Sequence, residues 1–333
     1  MTKSREKILP VFIPHLGCPH DCVFCNQKRI SGSLLPSCPE DVRKAVEGAQ
    51  AQGLQLAFYG GSFTALPRRE QNALLDAARP YLKSGKLSGI RLSTRPDAID
   101  EDILANLKAR GVNTIELGVQ SMDAQVLRQS GRGHTAEDAV KAAGLVKALG
   151  FTLILQMMTG LPGSDQGKDM ETARRLIALG PDGVRIYPTV IVRDTALYEL
   201  WQQGKYREHT VDEAVETCAA ILPLFDAAGI PVIRLGLNPT DDLSGGDAAG
   251  GAYHPALGEL VKSRVLLQNV RGLLQGERLG GELCITVPRG KTSQMTGQRR
   301  SNILALQREF GFSAVKVEER AEIDAPVTIS VAK

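Results

Sequence analysis

Between Ile8 and Tyr187 short apolar runs alternate with helical stretches six times, and that alternation constrains the fold of this 333-residue chain more than any other feature. The runs predict strands at Ile8–Ile13, Leu54–Phe58, Gly89–Ser93, Asn113–Gly118, Phe151–Met157 and Gly183–Tyr187. Helices are expected between them: from Cys38-Pro39 to Ala51, over Arg68–Lys83 and Asp100–Arg110, in two pieces flanking Gly131–Thr135, and around Met170–Leu179. Thr135 reads as a helix cap, with Glu137 and Asp138 in the first turn behind it. Repeated strand–helix units give a parallel sheet. The expectation is an α/β fold, a partial (β/α)6 barrel over residues 1–240, with its active site at the C-terminal strand ends where the loops converge.

The first strand runs into Pro14-His-Leu-Gly-Cys18-Pro-His-Asp-Cys22-Val-Phe-Cys25-Asn26. Cys18, Cys22 and Cys25 stand at C-x3-C-x2-C spacing. Thiolates are the usual ligands of iron–sulfur clusters, and one short loop can wrap three of them around a single cluster. A four-iron cubane held by three thiolates has one iron left to bind a small molecule, as a catalytic zinc keeps an open position. The competing reading is a zinc knuckle with His15 or His20 as fourth ligand. Cys38, Cys218 and Cys284 are scattered singly and read as small buried apolar residues. Hydrophobic content of 43% and charged content of 23% are those of a soluble globular protein. No signal peptide is visible in the charged N-terminus, and no apolar stretch reaches membrane-spanning length. Free thiols fit a reducing compartment, and a cytoplasmic location is expected.

The cysteine spacing, with Phe24 before the third cysteine, resembles the signature of the radical S-adenosylmethionine (SAM) superfamily. That resemblance implies a [4Fe-4S] cluster on Cys18, Cys22 and Cys25 and SAM on the open iron. It also implies reductive cleavage of SAM to a 5′-deoxyadenosyl radical that takes hydrogen from substrate, and an external electron donor such as flavodoxin or ferredoxin. Gly60-Gly61-Ser62 after the second strand lets a ligand approach the backbone closely, and resembles the glycine-rich motif that binds the SAM amino group, with Ser62 where many members carry Glu. Gln120-Ser121 followed by Arg132-Gly-His134 is similar to the SAM ribose and carboxylate segment of the oxygen-independent coproporphyrinogen oxidases. By that likeness Arg132 pairs with the methionyl carboxylate and Gln120 bonds ribose or carboxylate. Gln156-Met-Met-Thr-Gly160-Leu-Pro-Gly163 resembles their ribose-binding segment, with Gln156 in place of an acid. On residues alone, a lone glycine pair is more often a turn, Arg132 by default a solvated loop charge, and Met157 and Met158 pocket or core packing.

Ser93-Thr-Arg95-Pro-Asp97, Glu116–Ser121, Arg132-Gly-His134-Thr, Arg185-Ile-Tyr187-Pro-Thr189 and Thr195-Ala-Leu-Tyr198-Glu-Leu-Trp201…Tyr206 resemble the elongator catalytic subunit, a radical SAM acetyltransferase of wobble-uridine tRNA modification. The likeness runs from residue 8 to 235. It makes RNA, tRNA above all, the expected partner, and Tyr187 the candidate catalytic residue on the substrate side. The elongator subunit sets its first cysteine further from the other two. It also continues into an acetyltransferase domain, for which fewer than a hundred residues remain here, so no acetyl-CoA domain is expected.

Asp241–Gly251 reads as a linker, and Ala256–Leu274 as a helix, giving a 241–280 connection. Residues 281–333 read as a small basic α+β unit: strand Glu282–Val287, helix Thr292–Thr296, turn Gly297-Gln-Arg299-Arg300, helix Ser301–Phe310, strand Ala314–Glu318. From 262 onward there are twelve Lys/Arg against seven Asp/Glu. That order is KH-like, the module whose Gly-x-x-Gly loop clamps a nucleic-acid backbone, although the second glycine is missing. Arg299 and Arg300 then bind phosphates; otherwise the unit is a cap with solvated arginines. Three functions stay open: a radical SAM enzyme on RNA, the same chemistry on a small molecule, or a zinc-bearing RNA-binding protein without catalysis.

Overall fold

Strands buried on both faces read as nearly unbroken apolar runs, and Leu54–Phe58, buried throughout, is of that kind. The structure is a computed structural model that describes residues 7–13, 18, 20–25, 38–237, 246–275, 279–321, 323 and 325–332. Seven parallel strands follow one another in chain order: β1 (Ile8–Ile13), β2 (Leu54–Gly60), β3 (Leu87–Thr94), β4 (Val112–Gln120), β5 (Thr152–Thr159), β6 (Gly183–Pro188) and β8 (Val232–Leu235). They form a curled half-barrel. The expected partial barrel is there, with a seventh strand added. Four residues long and half-exposed, β8 carries too little apolar pattern to be read as a strand.

The helices are α1 (Pro39–Gly48), α2 (Arg68–Lys83), α3 (Glu101–Ala109), α4 (Ala124–Gln129), α5 (Ala136–Ala148) and α6 (Gln166–Ala178). After β6 come α7 (Ala196–Gln202) and α8 (Val211–Ala227). Side-chain caps start several of them: Asp100 accepts from the Ile103 amide, Asp165 from Lys168, and Thr135 from Asp138, whose carboxylate reaches back to the Thr135 amide. Each such cap contributes about 1 kcal/mol. Among the described residues no helix is long and apolar enough to cross a membrane.

At the C-terminal edge of the sheet a two-stranded antiparallel ribbon pairs β7 (Val190–Val192) with β9 (Ala248–Gly251). The expected 241–251 linker therefore ends in a strand; residues 241–245 lie outside the described ones. Helix α9 (Leu257–Leu274) belongs to two cores. Leu257 and Val261 pack into the barrel core, and Leu266, Leu267, Val270 and Leu274 into that of the C-terminal unit.

The C-terminal unit follows the expected order: β10 (Glu282–Pro288), α10 (Thr292–Thr296), a tight turn, α11 (Ser301–Phe310) and β11 (Ala314–Arg320). β10 is central, parallel to β11 and antiparallel to an additional strand, β12 (Thr328–Ala332). The side-chain amide of buried Asn302 donates to Ser263 of α9 and to the carbonyls of Gln294 and Met295, which fixes the unit to that helix.

Candidate functional site

The C-terminal strand ends surround a cavity of about 250 Å³ whose wall includes Cys18, Cys22 and Cys25. The cysteine loop is tied to the turn before α5 and to α7. Val23 N–H donates to Ser130 O (3.1 Å), Leu197 N–H to Val23 O (2.7 Å), and Cys25 N–H to Cys22 O (2.9 Å). Gly131 (φ +63°) and Gly133 (φ +75°) admit the loop: a Cβ on Gly131 would lie 3.1 Å from Asp21 O, and one on Gly133 would strike the His20 ring. His20 faces Gly133, with Nε2 3.9 Å from an Asp97 oxygen. His15 lies outside the described residues. Among those described, no three His, Cys, Asp or Glu side chains converge tightly enough to hold a single ion, the geometry that a tetrahedral zinc requires.

Two arginines back the thiols. Arg132 Nη1 lies 3.2 Å from Cys22 Sγ, its Nη2 donates to Gly118 O, and its Nε donates to His134 Nε2 (3.3 Å). Burial, reinforced by the Arg132 cation, pushes the His134 pKa down to about 4. The ring is thus a neutral acceptor at Nε2, with Nδ1 donating to Thr135 O (3.1 Å). Arg95 holds Asp97 through two bonds of 2.9 and 3.0 Å and donates to Arg132 O. Burial would raise the Asp97 carboxyl, but its bonds to Arg95 outweigh that and leave it below the usual carboxylate range. Arg95 Nη1 is buried without a partner.

The glycine pair has a structural cause. Gly60 has φ +103°, and a Cβ there would sit 2.6 Å from Ile13 O, which also accepts from Gly61 N–H at 3.2 Å. Ser62, fully buried, bonds Thr94 Oγ1 (2.9 Å) and accepts from the Arg95 amide (3.2 Å). Gln120 adopts φ +70° at a bulge between β4 and β5, where Gln156 Nε2 donates to its Oε1 (3.2 Å). Both glutamines, Gly60, Gly61, Ser62, Arg132, Phe24 and Tyr187 line the cavity. Gly160–Gly163 lines a separate cleft with His209 and Asp169. There the ring of His209 occupies the place of a Gly160 side chain, and Tyr206 Oη donates to Gly160 O (2.7 Å).

Sequence reasoning placed Glu116 and Arg185 within motifs but missed the ion network they form beside the cavity. Glu116 Oε1 accepts from Arg91 (2.9 Å), Arg185 (3.0 Å) and Tyr59 (3.0 Å), and Arg185 also donates to Tyr187 Oη (3.2 Å). Burial and the Glu116 charge push the Tyr59 phenol up to about 12. The available signal was strand alternation: Glu116 and Gly118, like Arg185 and Tyr187, are two apart and share a face.

Arg299 and Arg300 do not reach the cavity; they are exposed on a turn with φ of +51° and +61°. Their placement follows from α9. Leu257, its first residue, packs on Gly236 at the C-terminal end of β8. Gln294 Nε2 reaches Glu259 (2.7 Å) and Asn302 reaches Ser263. The turn between these two therefore lies beside the first two turns of α9, within about 10 Å along its axis of the strand-end side.

Three sulfur donors on one cavity wall, with Arg132 against Cys22 and Arg95 near Cys22 and Cys18 with an unmatched N–H, suit an anionic sulfur-ligated group, and an iron–sulfur cluster is such a group. Comparisons with known proteins agree. Residues 12–177 match the description of the radical SAM superfamily, and 181–266 that of a radical SAM C-terminal domain. Elongator complex protein 3 of Mus musculus is 32% identical over 197 residues, 53% of this chain and 36% of that protein. The tRNA uridine(34) acetyltransferase of Methanocaldococcus jannaschii is 36% identical over 128 residues, 38% of this chain and 24% of that one. The chain thus spans about a third or less of those two relatives. Archaeal Elp3 from Methanocaldococcus infernus, solved without its N-terminus, superposes with a TM-score of 0.64 at 24% identity over 81% of this chain and 65% of that chain. An uncharacterized protein of M. jannaschii, MJ0486, is 33% identical over 230 residues, 63% of this chain and 69% of its own length. With most of that relative covered and two consecutive family descriptions matched, this chain belongs to the radical SAM superfamily, whose enzymes use a [4Fe-4S] cluster and SAM.

Proposed function

We propose that this enzyme cleaves SAM reductively to start radical chemistry on an RNA substrate, with tRNA foremost. The observation that carries the reading is the meeting of three cysteines with Arg95 and Arg132 at the strand ends, including the unpartnered Arg95 Nη1. Cys18, Cys22 and Cys25 would hold the cluster. The Gly60–Ser62 backbone, Gln120, Gln156, Arg132 and Phe24 would hold SAM. Cluster and SAM together supply a reducing electron and a hydrogen-abstracting radical. The chain's own residues orient and enclose. Neutral His134 fixes Arg132, Ser62 locks the β2 end to the β3 end, and the β7–β9 ribbon walls the cavity through Val190 and Val192. Tyr187, held by Arg185, faces the substrate side.

Support for RNA comes from the elongator likeness, from a relative named as a tRNA uridine acetyltransferase, and from two exposed arginines beside the first turns of α9. A reducing electron donor of the flavodoxin or ferredoxin kind, and a cytoplasmic setting, belong to the same proposal. A second reading has its own observation: Glu116, which lines the cavity, is paired with both Arg91 and Arg185, and that surplus of positive charge beside the cavity favours an acidic small molecule.

The test uses anaerobically reconstituted protein, with iron, sulfide and 5′-deoxyadenosine measured after reduction. About four irons per chain and deoxyadenosine release, both abolished in Cys22→Ala, are expected, with release stimulated by a small-RNA fraction. Stimulation by a metabolite pool alone selects the second reading. One zinc per chain without deoxyadenosine overturns both.

A further inference from the structure

The Thr195–Tyr206 motif, so similar to the elongator subunit, contributes no ligand to the cavity, yet it contacts the cysteine loop on the cavity wall and the loop after β5. We infer that residues 195–206 are a clasp holding the cysteine loop in place, and that retention of a cluster by Cys18, Cys22 and Cys25 depends on it. The second half of this inference rests on the cluster reading of those cysteines.

Val23 lies between Cys22 and Cys25, so where its backbone goes, two of the three sulfurs follow. It is hydrogen-bonded in both directions, its N–H to Ser130 O and its carbonyl from Leu197 N–H. The second bond has a local cause. Leu197 is the second residue of α7, and the first amides of a helix have no intrahelical acceptor. The Thr195 side chain takes the Tyr198 amide at 3.1 Å, and Val23 O takes that of Leu197. A requirement of the helix start is met by the cysteine loop.

Packing reinforces the bond. Leu197 is fully buried with Ile191 and Tyr206, and Val23 and Phe24 pack against that cluster. The far end of the clasp is anchored by Tyr206, whose hydroxyl donates to Gly160 O in the loop after β5. Residues 195–206 thus span from the β5 loop to the cysteine loop. Without them the cysteine loop would keep its tie to Ser130 and the Arg132–Cys22 contact, and would lose its apolar cover.

The experiment compares wild type, Leu197→Ala, Tyr206→Phe and a control, Leu104→Ala, which empties an equally buried site on α3 away from both loops. Reconstituted proteins are challenged with a ferrous chelator and iron loss is timed by cluster absorbance. Apoproteins are labelled with N-ethylmaleimide, and Cys22, only 9% exposed, is quantified by mass spectrometry. Leu197→Ala is expected to lose iron and expose Cys22 about tenfold faster than wild type, and Tyr206→Phe less so, while Leu104→Ala behaves as wild type despite a similar fall in unfolding midpoint. Wild-type rates in Leu197→Ala, or equal acceleration in Leu104→Ala, overturn the clasp. A wild-type protein that takes up no iron overturns the cluster reading and the retention claim with it, and Cys22 labelling then decides the clasp by itself.

Discussion

Asp169 is a carboxylate in a place where charge is costly. It is almost wholly buried at the start of α6 and accepts from Gly160 N–H (2.9 Å) and Ser164 Oγ (2.6 Å). Burial pushes its pKa up to about 6, more than those two bonds pull it down. A carboxyl with a folded pKa above its unfolded value of 3.8 binds more protons in the folded state between those values, so stability falls as pH rises through that window. Asp169→Asn keeps an acceptor and removes the charge. Its stability relative to wild type should therefore rise between pH 5 and pH 8, on the order of 1–2 kcal/mol. Urea unfolding at the two pH values measures this, and a pH-independent difference would refute it. Gly60 shows the converse, a residue chosen by backbone alone: the Ile13 carbonyl leaves no room for a Cβ, and φ +103° excludes one on conformational grounds as well.

Elements with a strong period were legible. β1 to β6 and their helices came out because apolar runs, caps and terminal glycines agreed with one another. β8 and β12 did not, since Val232–Leu235 and Thr328–Ala332 are short and half or more exposed, and sheet partners rather than pattern make them strands. At the site the cysteines, Gly60 and Arg132 were legible as motifs. Arg91 and Tyr59 were not, and Glu116 showed none of its partners, because strand alternation gives a shared face while the ion network joins residues of different strands. Nor did the glycines of Gly131–Gly133 show their purpose; it is the cysteine loop, more than a hundred residues earlier, that requires them. The C-terminal unit depends in the same way on Asn302. Asn302→Leu would leave carbonyls of Gln294 and Met295 buried and unmatched, at about 2–4 kcal/mol. Thermal unfolding should show that loss, with amide exchange rising first in the C-terminal unit; a loss under about 0.5 kcal/mol would mean the Asn302 bonds to α9 contribute little.

For the whole molecule the decisive element is α9, which passes from one core into the other and fixes where the basic turn stands. If Arg299 and Arg300 each neutralise a phosphate of single-stranded RNA, Arg299→Ala/Arg300→Ala should lower the slope of log affinity against log salt by about 1.4. Fluorescence anisotropy between 50 and 200 mM KCl reads that slope directly, and an unchanged value removes the turn from RNA binding. The strand order adds a different constraint. Sheet partners are neighbours in the chain, so the half-barrel can assemble progressively from β1. The cysteine loop cannot. Its three thiols are made well before the Leu197 amide that meets Val23, which follows about 175 residues later, roughly 10 to 35 s at ordinary elongation rates. Until then the loop has its ties to Ser130 and Arg132 and lacks the apolar cover of Leu197 and Tyr206. If those cysteines hold a cluster, the loop is fully braced for it only late in the synthesis of each molecule, so the order of synthesis, as much as the final structure, sets when iron and sulfide can be retained.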